Sequence, residues 1–266
     1  LEKIIYPDTN EVNFEYDLAG RRISVEDELG HATTYAYDDA YRLTSITDAL
    51  SHTTSFGYDL MSNLTSQTDA LSNVTSFEYD DFNRLKKIVY PAPSPSATPL
   101  QETMTYDKNG NIKTKVDTGG RTTSYDYDTA NRLTKITDAL SNQTQFTYNA
   151  RSQMTKVKDA LNQEYTFTYD ALGRTLTQTR NGTTMTFTYD AVGNRVTRED
   201  YNGDDTTYTY DDLNRLTNIA YTGASGENAT YTYDDLSRLL TAVNAAGTVT
   251  FTYDNRGRLA TEEDIF

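Results

Sequence analysis

Residues 127–148 read Y-D-T-A-N-R-L-T-K-I-T-D-A-L-S-N-Q-T-Q-F-T-Y, so the string closes on the residue with which it opened. Its last segment, Thr144-x-Phe146-x-Tyr148, alternates with period 2 and is rich in aromatic and β-branched residues. That pattern predicts a strand with one apolar face. In other copies the residue between the two rings is also polar, as at Glu15, Glu78, Thr168, Thr209 and Thr252. After the Tyr comes Asp-x-x and then Gly at 20, 110, 173, 193 and 257, Asn at 83, 131 and 214, or Ser at 62, 152 and 237. Gly and Asn tolerate positive φ, which a tight reversal requires. A second short strand follows, such as Leu43–Ile46 or Leu133–Ile136, and then Asp-Ala-Leu-Ser-Asn turns the chain back. Two strands and two turns make each unit a β-hairpin. Leu43 and Ile46 are three apart, which places them on opposite faces of a regular strand. A bulge, or a strand buried on both sides, reconciles them.

The unit recurs from end to end. Its closing Tyr falls at Tyr16, Tyr37, Tyr58, Tyr79, Tyr106, Tyr127, Tyr148, Tyr169, Tyr189, Tyr210, Tyr233 and Tyr253, twelve copies at spacings of about 21 residues. Two places earlier stand Phe14, Phe56, Phe77, Phe146, Phe167, Phe187 and Phe251, with Tyr35, Met104, Tyr125, Tyr208 and Tyr231 completing the column. These two columns are the predicted structural ladder of the molecule. A single hairpin is marginal in water, whereas hairpins stacked side by side bury one another's aromatic face. The fold expected is all-β: tandem β-hairpins in one continuous antiparallel sheet, coiled by native strand twist. Roughly 24 strands at ~4.8 Å make a band on the order of 115 Å wide, a segment of a spiral shell or tube.

The one interruption is residues 90–102, which hold four of the five prolines and lengthen the local spacing to 27. The repeat resumes in phase at Thr103, so residues 1–266 are read as a single array with a long Pro-rich turn. Leu1-Glu-Lys-Ile-Ile-Tyr-Pro7 aligns with Leu85-Lys-Lys-Ile-Val-Tyr-Pro91, and Leu259 sits in the same slot after Tyr253. On this alignment the chain starts and stops mid-hairpin at one phase. It is expected to be a fragment of a longer array, or a unit continued by further copies of itself.

Composition narrows the chemistry. The 266 residues include no Cys and no Trp, and acidic side chains outnumber basic ones 39 to 24, for a net charge of −15. A disulfide framework and a thiolate zinc site are excluded. Nucleic acid is a poor partner, because that affinity rests on Lys and Arg neutralising phosphates. No apolar run is long enough for a membrane-spanning helix. Asp follows the motif Tyr in eleven copies, and Asp48, Asp69, Asp138 and Asp159 recur in the second turn. An active site is a single constellation rather than a feature of every repeat, so these are read as turn-capping groups. Calcium in the turns is the softer alternative, but no D-x-D-x-D-G loop is present. Arg21, Arg42, Arg84, Arg132, Arg174, Arg215, Arg238 and Arg258 lie at a fixed distance from an Asp, which predicts a structural ion pair. His31 and His52 fall at equivalent places on adjacent hairpins, about 9–10 Å apart and too far to share a metal. No catalytic, metal or cofactor site is expected.

The stretches Tyr169-Asp-Ala-Leu-Gly-Arg174 and Tyr253-Asp-Asn-Arg-Gly-Arg-Leu-Ala-Thr261 resemble the YD, or RHS (rearrangement hot spot), repeat. The resemblance covers essentially the whole chain. It implies hairpins wound into a hollow shell, as in bacterial toxin complexes, polymorphic toxins and teneurin adhesion receptors, and hence a secreted or cell-surface location. In the toxins the shell surrounds a C-terminal effector, often freed by an aspartyl autoprotease in a terminal core. No D-P-x-G-x-x core segment follows the last repeat here, and twelve hairpins are fewer than a complete shell uses. The implied role is noncatalytic wall. Its implied partners are flanking repeats or further copies, and an enclosed effector domain. An adhesion module for glycans or a surface protein is the alternative, and a head-to-tail filament a further one.

Overall fold

The structure is a computed structural model and describes residues 3–6, 11–94, 96–223 and 228–265. Among these residues every regular element is a β-strand. The chain divides into two compact units, Leu1–Asn131 with Ile136–Asn142, and Arg132–Lys135 with Gln143–Phe266. In the first, successive strands from Lys3–Ile5 to Thr122–Tyr127 pair antiparallel with their sequence neighbours. In the second, the strands from Gln143–Tyr148 to Leu259–Ile265 do the same. Each unit is thus a meander of hairpins. The slot assigned to Leu1 lies outside the described residues.

Each repeat supplies an incoming strand that ends on the motif Tyr and an outgoing strand that leaves the turn. Between them lies a β-bulge, in one hairpin after another. In the pair Ala32–Tyr37 with Leu43–Thr47, Tyr35 faces Ile46 and Ala36 faces Ser45, but Tyr37 faces Leu43, leaving Thr44 as the extra residue. The same shift sets Phe77 opposite Ile88 with Tyr79 opposite Leu85, and Phe146 opposite Val157 with Tyr148 opposite Met154. One extra residue returns a side chain three positions away to the same face. The bulge, not burial on both sides, therefore reconciles Leu43 with Ile46. On the other face, threonine hydroxyls meet across the strands, as in Thr105–Thr114, Thr168–Thr177 and Thr252–Thr261, each at 2.6 Å.

The aromatic face is less covered than expected. Among the described residues no hydrophobic side chain is buried, and the motif rings are half-buried, apart from the exposed Tyr16. Within a single layer a side chain is flanked by its neighbours along and across the strands but has nothing packed over its tip. Leu18, Leu29, Leu50, Leu60, Leu71 and Leu140, all in turns, project into solvent.

Departures from the 21-residue period have local causes. Arg180 pairs with Thr183 across Asn181-Gly182, both at positive φ, the arrangement of a two-residue hairpin loop. Asn244 likewise pairs with Gly247. These shorter second turns account for the 20-residue spacings that end at Tyr189 and Tyr253. The Pro-rich stretch joins Leu85–Val89 to Gln101–Tyr106, which pair directly, and Tyr90 N–H donates to the Leu100 carbonyl at 2.8 Å.

Candidate functional site: the turn ladder

The Tyr-Asp turn is held by its own aspartate. In residues 17–21, Asp17 Oδ1 accepts the backbone N–H groups of Ala19 and Arg21 at 2.9 Å each, while Oδ2 accepts Arg21 Nε at 2.6 Å. Gly20 N–H closes the turn on the Asp17 carbonyl at 3.0 Å, with Gly20 at φ 79°. The pattern repeats at Asp38–Arg42, Asp80–Arg84, Asp170–Arg174, Asp211–Arg215 and Asp234–Arg238. Hydrogen bonds to the charged form favour it. The backbone N–H of Arg21 is the main reason that the Asp17 carboxyl lies below its ordinary range. For Asp80 the main reason is the Arg84 side chain, and for Asp59 the Asn63 amide.

Where the second turn carries an aspartate, as the sequence reading expected of Asp48, Asp69, Asp138 and Asp159, it is built the same way. Asp48 Oδ1 accepts the N–H groups of Leu50 and His52 at 2.9 and 2.8 Å, and Ser51 takes φ 66°. His31 Nδ1 and His52 Nδ1 each lie 3.0 Å from the carboxylate of their own turn, Asp27 and Asp48. The histidines therefore stand in the slot filled by Asn73 or Arg121 elsewhere. Among the described residues no group of three His, Asp or Glu side chains has the arrangement of a metal site.

The two turns differ in their reach. In the Tyr-Asp turn the Arg extends to the next hairpin, where Arg42 Nη1 donates to the Asp59 carbonyl at 2.8 Å and Arg215 Nη1 to that of Asp234 at 2.9 Å. Its guanidinium lies over the next motif Tyr, 4.8 Å from the ring centre for Arg42 and Tyr58 and 4.4 Å for Arg84 and Tyr106. That Tyr reaches back in turn. Tyr58 Oη donates to the Leu43 carbonyl at 2.9 Å, Tyr79 to Leu64 at 3.0 Å, Tyr148 to Leu133 at 2.9 Å and Tyr253 to Leu239 at 2.9 Å. The acceptor is the residue before the bulge. Between Leu43–Thr47 and Thr53–Tyr58 the ladder pairs only Ser45–Thr47, so the Leu43 carbonyl has no backbone donor on that side. The phenol supplies one. Burial pushes the Tyr79 and Tyr233 phenols up, with the charges of Asp59 and Asp211 adding to the effect, so the donor proton is retained at neutral pH.

The structure thus brings the sequence-predicted Tyr, Asp and Arg columns together at one rim of the hairpins. The Phe column of Phe14, Phe56, Phe77, Phe146, Phe167, Phe187 and Phe251 lies on the same face as the motif Tyr, further along each strand. Tyr41 went unnoticed in the sequence. It occupies the left-handed position of its turn at φ 65°, and its ring lies 4.6 Å from Arg21.

A tandem array of β-hairpins, tied one to the next through Tyr-Asp turns whose fifth residue is Arg in most copies, defines a repeat protein of quasi-one-dimensional build. The RHS Repeat family matches residues 16–53, 42–70, 58–94, 106–143 and 127–163, together more than half of the sequence, and the Teneurin YD-shell family matches residues 159–265. The chain belongs to the RHS repeat family. No curated protein sequence matches it. Among solved structures, a TcdB2-TccC3-TEV crystal structure superposes with a TM-score of 0.73 at 17% identity, over 95% of this chain and 15% of that one. A Tc holotoxin pore from Photorhabdus luminescens gives 0.68 at 17% identity, over 96% and 16%. A TcdB2-TccC3-Cdc42 structure gives 0.56 at 17% identity, over 95% and 17%. At such identity the likeness is one of fold. This chain spans less than a fifth of the length of each of these three chains.

Proposed function

We propose that this chain is a noncatalytic wall segment of an exported or cell-surface RHS protein, and that its hairpins continue into further repeats to enclose or present an effector domain. The observation that carries the reading is the division of labour in each hairpin. The Arg and Tyr bonds that tie one hairpin to the next recur along the array at the Tyr-Asp rim, while among the described residues neither face of the sheet carries a buried apolar side chain. A sheet so built gains stability by lengthening, as repeat arrays do, and offers a broad surface on each side. The turn aspartates are spent on backbone N–H groups and on Arg, Asn or His, which leaves them no catalytic part. Residues 1–266 act as one array, in which the Pro-rich segment is an extended turn. The likeness of fold to Tc toxin chains supports the enclosing role over adhesion.

The test is electron microscopy of the full-length gene product, combined with limited proteolysis. A hollow particle with the repeats in its wall is expected, and with it a segment outside the array that resists protease until the particle is denatured. A filled or extended particle overturns the reading. So do fibres that lengthen with concentration, and an outside segment cut equally fast before and after denaturation.

A further inference from the structure

The Tyr-Asp turns do not all meet their neighbours in the same way. The fifth residue of each turn, counted from Asp or Asn149, projects toward the next turn, where it meets the fourth residue, the one in the left-handed region. That fifth residue is Arg in most repeats, Asn at 63, 111 and 194, and Gln at 153. The fourth residue is Asn only at 83, 131 and 214. Those three are the very residues that Asn63, Asn111 and Asn194 meet: each fifth-place Asn donates its Nδ2–H to the fourth-place Asn Oδ1 at 3.0 Å. No Arg of this column faces an Asn. Arg42, Arg132 and Arg215 face Ser62, Ser152 and Ser237, with Nη1 donating to each Oγ at 3.3 Å. Arg84, Arg174 and Arg238 pass over Gly110, Gly193 and Gly257, where a Cβ would stand 3.7–3.9 Å from Nη1. Gln153 passes over Gly173 and donates to its carbonyl at 3.3 Å. Arg21 meets the face of Tyr41.

We infer that these two positions form a matched pair by which each hairpin accepts its neighbour: Asn takes a hairpin with Asn in the fourth place, and Arg takes one with Ser, Gly or a flat ring. The reach of the side chains explains the match. An Asn amide is short and closes the gap only if the opposite residue carries its acceptor far enough out; Ser Oγ, which the longer Arg reaches at 3.3 Å, sits closer to its own backbone than Asn Oδ1, and Gly has no side chain. Arg spans the gap unaided to the backbone carbonyl of the next turn, such as that of Asp59. Its path crosses the fourth residue, and an Asn there would set a carboxamide in the space that the guanidinium fills. Discrimination of this kind joins an attractive contact to an excluded one. In a repeat protein whose units are otherwise nearly interchangeable, it penalises a hairpin that docks one repeat out of place, or on a second copy of the chain. This holds whether or not the array encloses anything.

A double-mutant cycle on the complete chain tests the inference. The four forms are the parent, Asn63→Arg, Asn83→Ser, and both together, which recreates at this junction the pair found at Arg42 and Ser62. The readouts are the urea midpoint and amide exchange in residues 80–84. Each single variant is expected to raise local opening about threefold to tenfold, the cost of one lost hydrogen bond. The double variant is expected within about twofold of the parent, because contacting sites couple. If the double variant opens by the product of the two single effects, the pairing is refuted. The reverse cycle, Arg42→Asn with Ser62→Asn, applies the same criterion and stands alone should Asn63→Arg not fold.

Discussion

Replacing Tyr58 by Phe removes one oxygen and leaves the ring. The perturbation isolates the bond from Tyr58 Oη to the Leu43 carbonyl, 2.9 Å long and part-buried. That carbonyl lies beside the bulge at Thr44, beyond the end of its ladder with the next hairpin. A net hydrogen bond of this kind contributes about 0.5–1.5 kcal/mol. Leu43 is half-buried, so water can take over part of the donation, and a loss of about 0.5–1 kcal/mol is expected, or roughly two- to fivefold in the opening equilibrium. Tyr58→Leu removes in addition the ring that lies 4.8 Å from the Arg42 guanidinium, a contact contributing about 0.5–1 kcal/mol more where it is partly exposed. Because the array is quasi-one-dimensional, the effect belongs to this junction rather than to the whole chain. Amide exchange followed peptide by peptide is therefore the assay, with residues 43–47 and 53–58 compared against 133–137 and 143–148 as an internal reference. The expected order is parent, Phe, then Leu, in rising exchange and only around residue 58. If Phe equals the parent, the phenol is not the donor that the bulge requires. Equal acceleration at the reference strands would show instead that the hairpins open as one body and that junctions carry no separate energy.

Three further outcomes follow from the turns. The Asp17, Asp38, Asp80 and Asp211 carboxyls lie below their ordinary range, chiefly through hydrogen bonds from the arginine four residues on. A depressed folded pKa contributes stability above the unfolded value near ~4 and loses it as pH falls through the folded one. The urea midpoint should therefore decline between about pH 4 and pH 2, and a midpoint that holds or rises over that range would refute the capping role. Ser141 sits at φ 66°, so Ser141→Val should destabilise by about 1–2 kcal/mol while Ser141→Asn is neutral or better, as read from thermal or urea midpoints. Gly57 faces Ser66 where other hairpins pair two threonines, and the double variant Gly57→Thr with Ser66→Thr should raise the midpoint by restoring that hydroxyl pair. An unchanged or lowered midpoint would mean that the Thr pairs do not support the sheet.

The hairpin period, the two columns of rings and the Asp-Arg spacing were legible because each depends on residues near one another in sequence. Leu43 and Ile46 carried the trace of the bulge in their three-residue separation, but their spacing alone does not distinguish an extra residue from a strand buried twice. Burial of the aromatic face was misread for a different reason: stacked rings cover one another's flanks, but their spacing says nothing of whether a second layer covers their tips. Leu50 and Leu140 stand in Asp-Ala-Leu-Ser, a turn. The turn's polar groups point inward to the aspartate, so its third residue must point outward, and Leu50 is 75% exposed. The bond from Tyr58 to the Leu43 carbonyl joins residues of different hairpins and leaves no mark in composition. The Asn63–Asn83 match does leave one, but it emerges only when the turns are laid side by side with their neighbours in order.

A sheet with no buried apolar side chain among the described residues must find its stability elsewhere, and the two rims show where. At the second turn the aspartate satisfies its own loop, and only Asp200 among those described also takes a bond from the next hairpin, from Tyr221 Oη at 3.2 Å. At the Tyr-Asp turn the same local bonds are present, but the arginine continues across to the next carbonyl and ring, and the tyrosine reaches back to the carbonyl before the bulge. The bulge is thus an integral part of the junction: it turns an outgoing-strand carbonyl away from the ladder and leaves it for the neighbour's phenol. Ring and guanidinium cannot exchange places, because one must lie over the other while its hydroxyl reaches past. Direction is therefore built into each junction that carries the arginine, from the arginine of one hairpin to the tyrosine of the next. An array joined in this way propagates in a single sense, which is the property a continuous wall requires and a collection of independent hairpins lacks.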